Sequence, residues 1–347
     1  MNRFAISLGT VAIAAACLLS PAAMAQSTVL PANLRIVIGS NATSGDTYQN
    51  SAIVAEALAK KLGINAKVDP VGPTAAFQAI ARSSDGSTIM LFHDQAYLGH
   101  LYKVRGYSDI FSNYRIGPTV AINPGDAFLV PASSPYKTID DIIKAAGEGK
   151  RVRVAIQPGG VSEIGYSALK NAVKVRFPGK EVNLVPVNTG SQADKNQALF
   201  DGQADLINGS VQANEQYTRL PAGDQKAMRF VWIPARAATL QQANPEGMGQ
   251  TSREQLLQFA APKASVTMDG KTNWAFDKEF FFLYNKEMKP EVVAELDKAL
   301  AEIYAEGKIQ EQQKKSFFIP NFKPSTEAAA YLKQKVDTTA RVIDSIR

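Results

Sequence analysis

Two stretches put small polar residues where a helix is about to begin, "SNATSGDT" from Ser40 to Thr47 and "PGGVS" from Pro158 to Ser162. A third, "NTGS" from Asn188 to Ser191, has the same make-up. The first turn of an α-helix has backbone N–H groups without intrahelical acceptors, and the aligned peptide dipoles leave that end positive. Ser, Thr and Gly give an anion access to those amides, so the chemistry on offer is the binding of a carboxylate or phosphate. The same residues are also ordinary helix caps, and the pattern alone leaves capping and binding equally open.

Other chemistries fail on inventory. A phosphate-cradling loop needs G-x-x-x-x-G-K-[ST], whereas Gly39 and Gly45 stand one residue too far apart and are followed by Asp46; G-x-G-x-x-G is absent from both loops. A nucleophile elbow fails because Ile164 occupies the place of the second glycine, and both histidines, His93 and His100, precede Ser162. The histidines lack zinc-site spacing and read as surface or packing residues. Asp140 and Asp141 read as a solvated helix start. No catalytic residues, metal site or cofactor are therefore expected, and Asp46 is expected to cap its helix or face solvent.

The elements that must carry the loops follow from periodicity. "LRIVI" (34–38) reads as a strand and "YQNSAIVAEALAKKLG" as a helix with Val54 and Leu58 on one face, closed by Lys60, Lys61 and Gly63. The grammar continues with "AKVDPV" as strand, "TAAFQAIARSS" as helix and "STIMLF" as strand. It restarts at "VRVAI" (152–156), then helix, "NLVPV", helix and "ADLING". Strands alternating with helices predict an α/β fold of two lobes, each a mainly parallel sheet flanked by helices. "FLVPAS" (128–133) and "MRFVWIP" (228–234) are the expected crossing segments. Lobe 1 is thus expected over 26–127 plus 235–347 and lobe 2 over 128–234, with the helical tail from Lys289 packed on lobe 1.

The positive start "MNRF", the apolar run to Leu19 and Ala23-Met24-Ala25 read as a secretory signal over 1–25, which implies the periplasm. The one cysteine, Cys17, lies within it, so neither disulfides nor thiolate metal sites are expected beyond it. Loss of Arg3 takes the formal charge from +6 to +5. Scattered Lys and Arg without aromatic interleaving argue against nucleic acid.

Several segments in order resemble the solute-binding receptors of tripartite tricarboxylate transporters, the Bug receptors. "SNATSGDTYQNSAIVAEAL" (40–58) aligns without a gap on P-F-x-x-G-G-x-T-D-x-x-A-R-x-x-A-E-A-L. "SSDGSTIML", "PGGVSEIGYSAL", "VPVNTGS", "ALFDGQADLINGSV" and "MKPEVVAELDKALAEI" are similar to later family segments. Departures mark a divergent branch: Ser40-Asn41 for Pro-Phe, Ser44 for Gly, Tyr48 for Asp and Ala52 for Arg. The resemblance implies a two-lobed periplasmic binding protein of type II-like form. It would be monomeric, close on a small organic acid and deliver it to the membrane subunits of a transporter; the same fold could serve a ligand sensor. The implied contacts are Ser40, Asn41, Ser44, Gly45 and Thr47, with Phe92, His93 and Asp94 nearby. From the second lobe come Gly159, Gly160, Val161, Ser162, Thr189, Gly190, Ser191, Asn208 and Gly209.

Overall fold

The computed structural model describes residues 29 to 346, so the secretory signal and Cys17 lie outside the described residues. The chain begins with β1 (Asn33–Ile38), α1 (Asp46–Leu62), β2 (Asn65–Pro70), α2 (Pro73–Ala81), β3 (Thr88–His93), α3 (Gln95–Leu101), α4 (Ile110–Asn113) and β4 (Tyr114–Asn123). A second set follows with β5 (Asp126–Pro131), α5 (Ile139–Gly147), β6 (Val152–Ile156), α6 (Val161–Arg176), β7 (Leu184–Asn188), α7 (Gln192–Phe200), β8 (Leu206–Ser210), α8 (Val211–Thr218) and β9 (Met228–Trp232). The remainder is α9 (Ala237–Leu240), α10 (Arg253–Leu257), β10 (Lys278–Asn285), α11 (Pro290–Glu306), α12 (Lys308–Lys315), β11 (Ile319–Lys323) and α13 (Ser325–Ile346).

The fold is α/β with two sheets, as the alternation predicts. One sheet has the order β11-β4-β10-β3-β1-β2, the other β7-β6-β8-β5-β9. The expectation of mainly parallel sheets does not hold. Only β2-β1-β3 and β7-β6-β8 run parallel, while β10, β4, β11, β5 and β9 are all antiparallel to their neighbours. The reason lies in the crossings. β5 enters the second sheet from the first lobe and β10 re-enters the first from the second; both run opposite to the βαβ units, so β4 and β9 pair with them antiparallel, and β11 adds a further antiparallel strand on β4.

The crossings also sit elsewhere than expected. Phe128 pairs with Asn208 and Trp232 inside the second sheet, so the outward passage is at Pro124-Gly125, between β4 and β5. On the return, Ile233, Ala235, Leu240, Leu256 and Ala260 share a buried cluster with Leu129, Ile207 and Phe230 of the second sheet, although they follow residue 234 or adjoin it. Phe317 and Ile319, from the tail, lie in that cluster too. The rest of the tail packs as expected: α11 gives Leu296, Leu300 and Ile303 to the core shared with Val54 and Leu58 of α1.

Local sequence explains the elements. In α1, Val54, Leu58 and Leu62 recur every fourth residue and are buried, and Gly63 ends the helix at φ 64°, where other residues are strained. α5 begins at a reciprocal Thr138–Asp141 capping box, so Asp141 has a capping role as well as solvent access. β10, "KEFFFLYN", is buried throughout because it lies mid-sheet with both faces covered.

One buried group in this sheet sets a pH dependence. Glu279 of β10 accepts hydrogen bonds from Asn321 (2.8 Å) and Tyr331 (2.8 Å). Burial, with nearby Asp94 adding to it and Lys335 opposing, pushes its carboxyl up to about 7. The folded chain then keeps a proton that the unfolded chain releases near its ordinary pKa of 4.5. Stability contributed by protonated Glu279 is present below that value and is lost as pH rises toward 7. We expect Glu279→Gln to match the parent near pH 4.5 in urea unfolding and to exceed it at pH 8 by on the order of 3 kcal/mol. An unchanged difference across that range contradicts the assignment.

Candidate ligand-binding cleft

The carboxyl ends of β1, β3, β6, β7 and β8 point toward one another between the two sheets, the position where open α/β sheets hold ligands. A cavity of about 90 Å³ lies there. Three helices begin at its wall: α1 after Gly45, α6 after Gly160 and α7 after Ser191.

Of the residues singled out from sequence, Ser40, Asn41, Gly45, Thr47, His93, Val161, Ser162, Gly190, Ser191 and Asn208 line this cavity. The others do not. Ser44 is exposed. The Phe92 ring is buried beneath Gly39, where a Cβ would come within 2.1 Å of it. Asp94 turns inward, accepting from Tyr97 Oη (2.8 Å) and the Glu279 amide (2.6 Å) and pairing with Lys335 (2.7 Å). The Thr189 hydroxyl donates to the Ile156 carbonyl at 2.9 Å. Gly209 is covered by Gln192 and Asn214, and Gly160 packs on the Gln157 carbonyl. Gly159, at φ 72°, meets the other lobe: a Cβ there would lie 2.8 Å from the Gly99 Cα.

The lobes are in contact beside the cavity. Tyr102 Oη and Ser167 Oγ are 3.0 Å apart, and Val161 and Ile164 of α6 share a buried cluster with Phe92, Ala96 and Leu98.

Four charged side chains border the cleft, Asp46, Asp126, Lys195 and Lys278, of which the sequence singles out only Asp46. Asp46 opens α1 and its carboxylate takes a first-turn amide, as a capping role expects, but it is buried and does not face solvent. Its Oδ2 accepts from Lys278 Nζ (2.8 Å) and Asn123 Nδ2 (2.6 Å), and its Oδ1 accepts from the Thr47 amide (2.9 Å). Burial pushes its pKa up, but Lys278 and these hydrogen bonds prevail and hold it below the ordinary value. Lys195 of α7 is 6% exposed and donates to the Asn208 carbonyl; burial brings its pKa down to about 8. Asp126 is 5% exposed, and burial pushes its pKa up. His93 is packed against Phe92 and Phe280, as the packing reading expects, yet it also borders the cavity. Its Nδ1 accepts from the Gln95 amide, and burial next to Lys278 holds it neutral. Ser162 Oγ accepts from the Gln157 amide at 2.8 Å. His93 and Ser162 are thus each tied to backbone amides. Sequence signals for the missed charges existed: Asp126 and Lys278 each interrupt an apolar stretch at the start of a buried strand, and Lys195 follows a small polar loop.

No family model matches the sequence, and no curated protein matches it. Solved structures do. Periplasmic binding protein BugD superposes with a TM-score of 0.68 at 20% identity, over 90% of this chain and 97% of that one. Rpa4515 of R. palustris with adipate gives 0.70 at 14% identity, over 90% and 97%. MatC from Rhodopseudomonas palustris with bound malate gives 0.67 at 16%, over 91% and 99%. The chain therefore has the two-lobed α/β fold of periplasmic binding proteins.

Proposed function

We propose that this protein is a divergent receptor of the tripartite tricarboxylate transporter type, which captures a small organic carboxylate in the periplasm and hands it to membrane subunits. The observation that carries this reading is the convergence of three helix starts and the buried ammonium of Lys195 on one cavity. The positive ends of helices and a desolvated cation are together complementary to a carboxylate. That structures of the same fold hold adipate and malate supports the choice of ligand class. We read the chain as a binder and not an enzyme, because Ser162 and His93 are each engaged by backbone amides instead of by each other.

The test is a thermal-shift and calorimetry screen against organic acids. A ligand at 100 times its dissociation constant should stabilise by about 2.7 kcal/mol. If no carboxylate shifts the transition, the reading fails; if the recovered ligand is chemically changed, an enzyme is at hand. Lys195→Met should raise the stability of the ligand-free protein by removing a buried charge, while weakening binding by about 1.5–3 kcal/mol. In the parent, affinity should hold up to pH about 8, the Lys195 pKa, and weaken above it as the ammonium deprotonates. The variant should lack that dependence. Equal pH profiles would remove Lys195 from the anion grip.

A further inference from the structure

Within the cleft, the Lys278 charge is matched by Asp46 at 2.8 Å, but the other two charges are not matched in this way. Lys195 makes its hydrogen bond to a main-chain carbonyl, not to a carboxylate. Asp126, at the first position of β5, is 5% exposed and borders the cavity. Its Oδ2 is covered and accepts no hydrogen bond among the described residues. The Asn208 side chain stands near enough to favour the charged form of Asp126, yet its buried Nδ2 is likewise without a hydrogen-bond partner. A buried carboxylate oxygen that holds no donor is costly. The cleft therefore offers a buried ammonium and a buried carboxylate oxygen without a donor, which feel each other's charge, and that of Lys278, without forming a contact ion pair.

We propose that Asp126 accepts a hydrogen bond from an ammonium group on the ligand, so that the cleft selects an amino-acid-like zwitterion over the plain acid of the same skeleton. This rests on the carboxylate-binding reading above. Lys195 and the helix starts take the ligand carboxylate; Asp126 takes the ammonium. A plain dicarboxylate would instead bring a second negative charge toward a buried one, which like-charge repulsion disfavours.

The test pairs every acid that binds in the screen with its 2-amino counterpart, succinate with aspartate and propionate with alanine among them. Calorimetry should give the amino member at least about tenfold tighter binding to the parent protein, as expected for a charge-assisted hydrogen bond out of water. Asp126→Asn keeps the shape and removes the charge, and it should erase that preference. Equal binding of the paired acids to the parent, or a preference that survives in Asp126→Asn, overturns the inference and leaves carboxylate binding standing. Binding of no acid at all, with or without the amino group, sinks both. If Asp126→Asn does not fold, as judged by circular dichroism, the paired affinities of the parent decide alone.

Discussion

Gly159→Val should hold the two lobes apart and lower the affinity for any acid ligand by about ten- to a hundredfold, with each sheet intact. The reason is position. Gly159 has φ 72°, and a Cβ there would lie 2.8 Å from the Gly99 Cα and 2.9 Å from Val104 Cγ2, both across the cleft. Backbone cannot yield as a side-chain tip can, so the cheapest relief is to open. A ligand that needs contacts from both lobes must then work against that bias, and its apparent affinity falls with the population of the closed form. Backbone strain at positive φ is a separate effect, of about 1–3 kcal/mol. Gly179→Val isolates it, since Gly179 has φ 81° and nothing within 4 Å of its Cβ position. Small-angle scattering at saturating ligand should show a larger radius of gyration for Gly159→Val than for the parent, and the parent value for Gly179→Val. Parent-like affinity in Gly159→Val would mean that the Gly159–Gly99 contact does not govern closure.

The second large effect concerns stability. Asp46→Asn leaves the Lys278 ammonium buried without its 2.8 Å partner, and Lys278→Met leaves the Asp46 carboxylate buried with only neutral donors. Each single change should cost about 3–5 kcal/mol in urea unfolding. The double change should recover most of that loss, because neither partner then remains as an unpaired buried charge. The Asp46 contribution is present above its ordinary pKa of 3.8 and disappears as pH falls through the depressed folded value, so Asp46→Asn should also flatten the acid limb of the stability curve. A double variant as weak as the sum of the two singles would show that the pair does not act as a unit.

The fold was readable where signals are local. "LRIVI" and "VRVAI" emerge as β1 and β6 because a short apolar run feeding a Gly/Ser loop and a 3.6-period helix constrains both partners. The same locality exposed Gly45, Ser162, Gly190 and Ser191 as residues of helix starts. Sheet direction was not readable, because β10 inserts between β3 and β4 from more than 150 residues away. For the same reason the charged residues escaped. Asp46 opens α1 and reads as a cap alone until Lys278 arrives from β10, and Asp126 carries no local signal until the strand it opens is seen to border the cavity. A side chain's partner, more than its own type or spacing, decides its role there.

The strand order also dictates what a chain delivered N-terminus first can assemble. β3 and β4 are separated in the finished sheet by β10, so neither edge finds its neighbour until residues 278–285 exist. By then all five strands of the second sheet, β5 to β9, have already been made, and they need no strand from later in the chain to complete their ladder. The enclosed half can therefore assemble its sheet while the enclosing half still waits for its centre. A chain ending before β10 would hold one complete five-stranded sheet and three paired strands, with β4 unclaimed.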